Sequence, residues 1–180
     1  MARWNLDSAH TDIGFSAKHL MVATVKGRFT GVDAEIEIDE EQPERSSVVA
    51  TIDAASLASG NDERDAHLRS ADFLDVERFP TLAFRSTSVR RVGDDELELA
   101  GDLTIRDVTK PITLRGSIGG PVVTPWGGRK AGFNLAGEID REAFGLTWNV
   151  AMEAGGVLVG KKIKLAIDAE LDEVAADAAA

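Results

Sequence analysis

The residues best suited to chemistry lie between positions 59 and 75 of the chain. This segment holds an amide at Asn61, a guanidinium at Arg64, a carboxylate at Asp65 and an imidazole at His67. Imidazole and carboxylate groups are common proton donors and acceptors in catalysis, and the planar fork of arginine binds phosphate through two hydrogen bonds. The segment could therefore move protons, recognise an anionic group, or only pair its own charges. The sequence leaves these alternatives open.

The same segment has the features of one short helix. Asn61 is a preferred N-cap residue, and the acidic residues that follow it would lie near the positive end of the helix dipole. Because the pattern stops before Pro80, we predict a helical insertion near 61–74. Arg64 and Asp65 could form an ion-pair network that fixes this helix to the rest of the protein.

A second polar group comes from two early strands, which a short connection makes neighbours. Lys18 and His19 end the first of these strands, and Arg28 lies in the second. One interpretation is a solvated face that pairs with the many carboxylates, an arrangement that contributes little free energy. The other is a polar rim around an opening that receives a polar or anionic head group. The residues assigned to this rim are Lys18, His19, Arg28, Asn61, Arg64, Asp65 and His67.

Several classes of enzyme have no support in the sequence. The chain contains no cysteine, which excludes disulfides, thiol nucleophiles and thiolate metal sites. Residues 155–162 resemble a phosphate-binding loop, but Lys162 stands where a magnesium-binding Ser or Thr is required. The three histidines lack the paired spacing of a zinc site. We therefore predict no catalytic residues, no metal and no cofactor.

Charge and hydropathy limit the partners of the protein. Its 180 residues include 31 acidic and 20 basic side chains, giving a net charge of -11, and such a surface disfavours nucleic acid. No stretch approaches the ~20 apolar residues of a membrane-spanning helix. The first residues contain no apolar signal region. We therefore expect a cytoplasmic protein with no nucleic-acid partner and no integral membrane segment.

Alternation of apolar and polar residues with a period of two dominates the chain and indicates β-strands. It is clear at 34–38, 97–105 and 163–171. About eight such runs are joined mostly by short turns. We predict an all-β fold, an elongated eight-stranded antiparallel lipocalin-like barrel, in one domain over 1–173 with a flexible tail at 174–180. A β-sandwich is the alternative that the same alternation permits.

The length of the strands indicates what the barrel contains. Residues 157–171 would span roughly 50 Å at ~3.3 Å per residue, against ~17–20 Å for an ordinary strand. An eight-stranded barrel either fills itself with side chains or holds one slender ligand. The recurring aromatic residues are therefore either a packed core or the wall of a tunnel. The tunnel hypothesis assigns the lining to Ile13, Phe15, Phe29, Ile36, Phe73, Phe84, Leu103, Phe133, Leu135, Phe144, Trp148 and Leu165.

Seven short motifs, taken together and in this order, resemble one known family. They resemble the YceI-like family of lipocalin-like, polyisoprenoid-binding proteins, and the resemblance covers the chain from about Trp4 to Leu171. The motifs are His10-x-x-Ile13-Gly14-Phe15-Ser16-Ala17-Lys18-His19-Leu20, Val25-Lys26-Gly27-Arg28-Phe29, Ser59-Gly60-Asn61-x-x-Arg64-Asp65-x-His67-Leu68, Phe79-Pro80, Gly101-Asp102-Leu103-Thr104-Ile105, Val108-Thr109-Lys110-Pro111 and Asp140-Arg141-x-x-Phe144-Gly145-Leu146.

The resemblance implies an eight-stranded barrel with a long apolar cavity, often dimeric, that holds an isoprenoid chain such as a quinone tail or a polyprenyl phosphate. It therefore predicts a non-catalytic protein that transports or stores a long apolar lipid, with the isoprenoid as its ligand. A homodimer and transient membrane contact are further expectations. Several members of the family carry a signal peptide, a feature that the first residues of this chain lack.

Two other functions stay open. The first is an enzyme that acts on an isoprenoid or another small apolar substrate, with His67, Asp65 and His19 as its acid–base groups. The second is a filled barrel that serves as a stress-response or interaction module.

Overall fold

The structure is a computed structural model that describes residues 1–175, so residues 176–180, most of the predicted tail, lie outside the described part. The strands are β1 (Ala2–Leu6), β2 (Asp12–His19), β3 (Ala23–Phe29), β4 (Val32–Ile38), β5 (Ser47–Asp53), β6 (Leu57–Ala58), β7 (Thr81–Arg91), β8 (Glu96–Ile105), β9 (Val108–Val123), β10 (Arg129–Asp140) and β11 (Val159–Glu173). One α-helix, α1, spans Asp62–Arg69. Short 3-10 helices lie at Ser8–His10, Pro43–Arg45, Ala54–Ser56 and Arg141–Phe144.

These strands close into one antiparallel barrel. β11 pairs with β10 along one edge, and along its other edge with β2 and then with β1. β1 and β2 therefore follow one another at a single strand position of the barrel. β3 and β4 share the next strand position in the same way, and β5 and β6 share the one after it. With β7 to β11, the barrel has eight strand positions in up-and-down order, which confirms the predicted barrel and excludes the β-sandwich.

Strand alternation decides which side chains enter the barrel. Along β8, Leu97, Leu99, Gly101, Leu103 and Ile105 are buried, whereas the residues that alternate with them are more exposed. Successive side chains of a strand point to opposite faces, so one register places the whole apolar set inside. Inward residues of every other strand except β1 join this set in one apolar cluster.

The two ends of the barrel differ. The helix end carries α1 and the turns at 20–22, 106–107 and 141–158. The termini end carries the turns at 39–46, 92–95 and 124–128, together with the first and last described residues. A separate apolar cluster packs the termini end, where Trp4 and Leu171 are almost fully buried against Ile36, Ile38 and Ala131.

The helix is shorter than the predicted 61–74. Asn61 caps its start, because Oδ1 accepts from the backbone N of Arg64 at 2.9 Å. The helix ends at Arg69, and the hydroxyl of Ser70 then donates to the carbonyl of His67 at 2.6 Å. Residues 71–79 continue as turns that bury Phe73 and Leu74. None of the helices within residues 1–175 has the length and apolar character needed to cross a membrane.

Candidate functional site: the barrel cavity

The barrel encloses a cavity of about 1270 Å³. An apolar cavity of ~150 Å³ is already large enough to hold benzene, so this space can take a far larger apolar molecule. Its wall is built from inward-facing side chains of nearly every strand, and most of these are aliphatic or aromatic. A filled barrel, one of the functions considered from the sequence, does not fit this volume.

Two glycines keep aromatic rings against the wall. Gly27 lies opposite Phe15 in the pairing of β2 with β3. A Cβ atom at Gly27 would overlap the ring of Phe15, and one at Gly101 would overlap the ring of Phe84. Each ring therefore occupies the space that a side chain on the neighbouring strand would fill. This arrangement leaves the centre of the barrel open.

The cavity runs along the barrel and reaches both of its ends. At the helix end it is bordered by His19, Arg64 and His67, and at the termini end by Asp39, Arg91 and Asp95. Several inward-facing residues keep partial exposure although they point into the barrel, because they face this empty space. Among them are Phe15, Val25, Phe29, Ile112, Ile118, Phe133, Ile163, Leu165 and Ile167.

An aromatic cluster borders the cavity at the helix end. The ring of His67 meets that of Trp148 edge-on, with centroids 4.5 Å apart, and that of Phe73 with centroids 5.1 Å apart. On its exposed side, His67 Nε2 lies 2.9 Å from Oδ2 of Asp72. The imidazole therefore stands at the border between the apolar cavity and the polar surface.

Arg141 is a buried cation in the wall at the same end. Its guanidinium donates to the backbone oxygens of Leu146, Trp148, Val159 and Gly160 at distances between 2.7 and 3.2 Å. These bonds tie the turn after β10 to the start of β11. Burial lowers the pKa of Arg141 below its ordinary value, even though neighbouring carboxylates act in the opposite direction. Since its acceptors are neutral carbonyls, its charge would favour an anionic or electron-rich group in the cavity.

Asp65 and Arg64 attach α1 to the preceding loop. Asp65 accepts from the backbone N of Ser59 at 3.0 Å and from its hydroxyl at 2.5 Å. Arg64 donates to the same hydroxyl and to the Ser59 carbonyl, both at 2.8 Å. Burial alone would raise the pKa of Asp65, but the hydrogen bonds from Ser59 and the charge of Arg69 outweigh it, so this pKa lies below its ordinary value. The two side chains are thus joined through Ser59 and hold the helix to this loop, rather than through the direct ion pair that the sequence suggested.

Lys18 and His19 border the cavity where β2 ends. Lys18 Nζ donates to Oγ1 of Thr24 across the β2–β3 turn at 2.9 Å. His19 continues the inward series of β2 by alternation. Together with Asn61, Arg64 and His67, these two residues make up the part of the predicted rim that the structure brings to one cavity.

Three predicted site residues do not border the cavity. Phe144 lies in the 3-10 helix after β10 and is buried in the apolar cluster, because the chain has left the barrel wall there. Arg28 alternates outward on β3, where its Nη1 lies 3.6 Å from Oδ1 of Asp12. Asp65 turns toward the Ser59 loop. The other residues predicted for the lining all border the cavity.

Sequence reasoning missed two features of the site. It grouped His67 with Asp65 and His19 as acid–base residues, but residues two apart on a helix do not share a face, and the spacing of His67 and Asp65 could have warned against this grouping. The actual partner, Asp72, is brought back by the turn after α1. Arg141 was noted only within a motif, since nothing in a lone arginine after a strand shows that it will be buried.

One acidic cluster outside the cavity has the composition of a cation site. Asp7, His10 and Glu170 lie close together. The ammonium of Lys130 is already among them, 3.0 Å from Oδ2 of Asp7 and 2.5 Å from Oε1 of Glu170. Hydrogen bonds from His10 and Lys130 hold the pKa of Asp7 far below its usual range. We therefore interpret the cluster as an ion-pair network between β11 and its neighbours.

The fold and the cavity define a class of protein: a closed eight-stranded antiparallel β-barrel with an apolar interior and one helix at its end. A family model described as the YceI-like domain matches residues 4–171. Protein YceI of Salmonella newport (strain SL254) is 40% identical over 141 residues, which are 78% of this chain and 73% of that protein. The chain belongs to the YceI-like family.

Solved structures agree with this assignment. The YceI protein of Campylobacter jejuni has 34% sequence identity and a TM-score of 0.76, with 93% of this chain and 96% of that chain covered. A polyisoprenoid binding domain from Saccharophagus degradans has only 12% identity, but a TM-score of 0.64 over 97% of this chain and 100% of that one. The second similarity shows the shared fold.

Proposed function

We propose that this protein binds one long apolar lipid of the isoprenoid class inside the barrel, and that it carries or stores the lipid without changing it chemically. The observation that carries the proposal is the apolar cavity of about 1270 Å³. Membership of the YceI-like family supports it, as does the fold shared with a domain described as polyisoprenoid binding.

The free energy of burial explains why the lipid must be long. Each buried methylene contributes ~0.8 kcal/mol. Association costs about 4–15 kcal/mol in lost translational and rotational freedom. A tail of ten methylenes, at about 8 kcal/mol, only offsets a cost in the middle of that range. A tail twice as long would bind tightly with few polar contacts.

The polar end of the lipid belongs at the helix end of the cavity in this proposal. His67 and Arg141 lie in the wall there, with Lys18 and His19 at the end of β2. These groups would favour a phosphate or a carbonyl head over a bare hydrocarbon, because a buried guanidinium without a carboxylate partner gains most from an anionic contact. The apolar tail would then extend toward the termini end.

Polar side chains that border the cavity already form hydrogen bonds to other protein groups, and this supports a non-catalytic role. Lys18 is bonded to Thr24, Arg64 to Ser59 and Arg141 to backbone carbonyls. An enzyme stays the alternative because of one observation: the hydrogen bond between His67 and Asp72 at the edge of the cavity could orient the imidazole as a general base. Asp65 has no part in that arrangement.

The direct test is uptake of a long linear polyprenyl alcohol and of its phosphate by delipidated protein, followed by native mass spectrometry. We expect about one molecule per chain. Phe133→Asp should weaken uptake at least about hundredfold, because the cavity would have to desolvate a carboxylate. Asn134→Asp is the matched control, since Asn134 is the next residue of β10 and faces outward. It should bind as the wild type does.

Two results would contradict the proposal. One is unchanged uptake by Phe133→Asp with the circular dichroism spectrum of a folded barrel, because the lipid would then bind elsewhere. The other is recovery of a chemically altered lipid from the wild type but not from His67→Ala, which would establish the enzyme. The cytoplasmic location and the homodimer stay predictions.

A further inference from the structure

The turn between β2 and β3 exposes three consecutive large apolar side chains, Leu20, Met21 and Val22. Val150, in the turn that packs beside it, is exposed as well. Single exposed apolar residues are ordinary, whereas a contiguous group at a projecting tip marks a surface that contacts something else. We call Leu20, Met21, Val22 and Val150 the apolar tip.

The backbone of this turn makes the choice of residues unusual. Leu20 and Met21 have φ angles of 52° and 63°, and the N of Val22 donates to the carbonyl of His19 at 3.1 Å. A β-turn whose two central φ angles are both positive normally takes Asn or Gly at these positions, because other side chains are strained there. The chain instead places two bulky apolar residues at these positions, against local backbone preference.

The apolar tip is also held in place. The N of Leu20 donates to the carbonyl of Leu158 at 2.9 Å, and the N of Leu158 donates to the carbonyl of Val150 at 3.0 Å. The side chain of Met21 lies against Gly156. The two turns are therefore one projection that keeps its apolar side chains presented to solvent.

The strands behind the apolar tip carry positive charge on their outer face. Ser16 of β2 pairs with Lys26 of β3 on one side and with Lys164 of β11 on the other, and Lys18 follows on β2. Nearby cations such as Arg28 form ion pairs, but within residues 1–175 the three lysines form none. In a chain of net charge -11, a basic group of this kind is a local exception. The adjoining turn carries two acids, Glu142, which is paired with Lys161 at 3.0 Å, and Glu153.

The termini end provides an internal comparison. This end also exposes apolar side chains, at Val122 and Val123, which end β9, and at Trp126 in the turn that follows. The turns around them are acidic, with acids at Asp39, Glu40, Glu41, Glu44, Asp94 and Asp95. The helix end also carries acids, at Asp62, Glu63 and Asp72 in and after α1, so its positive charge is confined to the face of β2, β3 and β11 beside the apolar tip. An anionic surface would be attracted to that face and repelled by the termini end.

We infer that the helix end docks on an anionic lipid bilayer. The apolar tip enters the interfacial region, and Lys18, Lys26 and Lys164 contact lipid phosphates. Residues next to the tip, His19 and Leu158, border the cavity, so docking brings the cavity to the membrane. The docking itself stands on exposure and charge. Only its purpose, exchange of the bound lipid with the bilayer, rests on the proposed function.

The test is co-sedimentation with phosphatidylcholine vesicles that do or do not contain phosphatidylglycerol. We expect binding to the anionic vesicles, falling with added salt, and little binding to phosphatidylcholine alone. The double variant Met21→Ser/Val22→Ser should bind about tenfold or more weakly. Lys26→Gln/Lys164→Gln should bind roughly 25-fold more weakly, since each lysine near an anionic surface contributes about fivefold, or ~1 kcal/mol.

The matched control is Val123→Ser/Trp126→Ser at the termini end. These side chains are 76% and 80% exposed, against 65% and 79% for Met21 and Val22, so both pairs remove comparable apolar surface. Unchanged vesicle binding by this control supports the inference. An equal loss in both double variants would overturn it, as would a wild type that does not bind anionic vesicles.

The experiment must also distinguish docking on a bilayer from contact of the apolar tip with another protein molecule. If light scattering without vesicles shows a dimer that Met21→Ser/Val22→Ser converts to monomer, and vesicles are not bound, the apolar tip contacts a second copy and the inference is wrong. Uptake of the polyprenyl phosphate from ethanol, without vesicles, should be the same in this variant and the wild type. Failure to dock is thereby distinguished from failure of the cavity to bind lipid.

Discussion

Buried ionisable residues at the helix end of the barrel are held by short-range hydrogen bonds. Asp65 is bonded to Ser59 and stays ionised although it is buried, and Arg141 is bonded to four carbonyls. A buried charged group without such partners would carry a desolvation cost of several kcal/mol. These residues therefore fix the loops that surround the cavity. His67 has a different position, since its imidazole contacts both the lumen and the carboxylate of Asp72.

Asp65 makes the stability of the protein depend on pH. Its pKa in the folded state is lowered relative to ~3.9 in an unfolded chain, so the unfolded state takes up a proton first as pH falls. The stabilising contribution of Asp65 is thus present above about pH 4 and is lost as pH falls through the folded-state pKa. We expect Asp65→Asn to lower the free energy of unfolding by ~1–3 kcal/mol at pH 7 and by progressively less below pH 4.

Urea denaturation at a series of pH values measures this dependence. Asp62→Asn is the control, because Asp62 is exposed in the first turn of the same helix. It should change stability only slightly and with little dependence on pH. A difference between Asp65→Asn and the wild type that stays constant down to pH 3 would mean that the carboxylate is not held in its charged form by the fold.

The lining of the cavity followed from the sequence wherever a residue lies within a regular strand. A period of two fixes which face Phe15, Phe133 and Leu165 occupy once the register is set. Phe144 was assigned wrongly because it lies in a 3-10 helix, where that period does not apply. The buried role of Arg141 was not predictable from its neighbours, since it depends on carbonyls from β11 that are distant in the sequence.

At the scale of elements, the open lumen depends on how neighbouring strands share space. Phe15 on β2 covers Gly27 on β3, and Phe84 on β7 covers Gly101 on β8. Alternation predicted the strands, but not the interruption of the wall between β1 and β2 or the register shift in β11 between Val159 and Ile163. Such irregularities depend on how the barrel closes, which has no local signature in the sequence.

Replacing Gly27 by Ala should narrow the cavity. The new Cβ would overlap the ring of Phe15, so the ring must move toward the lumen, at a cost of ~1–3 kcal/mol for overpacking. We expect weaker uptake of the longest isoprenoids with less effect on shorter ones, measured by native mass spectrometry across a series of chain lengths. Gly132→Ala is the control, because its nearest neighbour would be the carbonyl of Ala169 at an ordinary 3.6 Å. Equal uptake by both variants at every chain length would show that the ring does not limit the cavity.

At the scale of the whole molecule, the barrel joins one apolar interior to two ends that differ in their charge. The interior is lined by residues from nearly every strand, so a ligand there contacts the entire wall. A molecule bound only by the folded state stabilises it by mass action. Binding should therefore be visible as a change in global unfolding as well as in the mass of the complex.

Thermal unfolding gives this global prediction. A polyprenyl phosphate at about one hundred times its dissociation constant should stabilise the fold by ~2.7 kcal/mol. For a domain of this size, that corresponds to an increase in Tm of about 5–10 °C. Phe133→Asp should show almost no increase under the same conditions. A wild type that takes up one lipid per chain without any rise in Tm would place the lipid on the surface.

The closure of the wall by β11 has a consequence for synthesis of the chain. Leu171 pairs with Leu6, 165 positions earlier, and the rest of β11 pairs with β2 and β10. Until β11 has left the ribosome, the nascent chain is an open sheet with its apolar face and both unpaired edges accessible to solvent, a state that favours aggregation. Contacts of such long range also make folding slow. A ribosome-associated chaperone would therefore assist this barrel most before β11 emerges and pairs with β1 and β2.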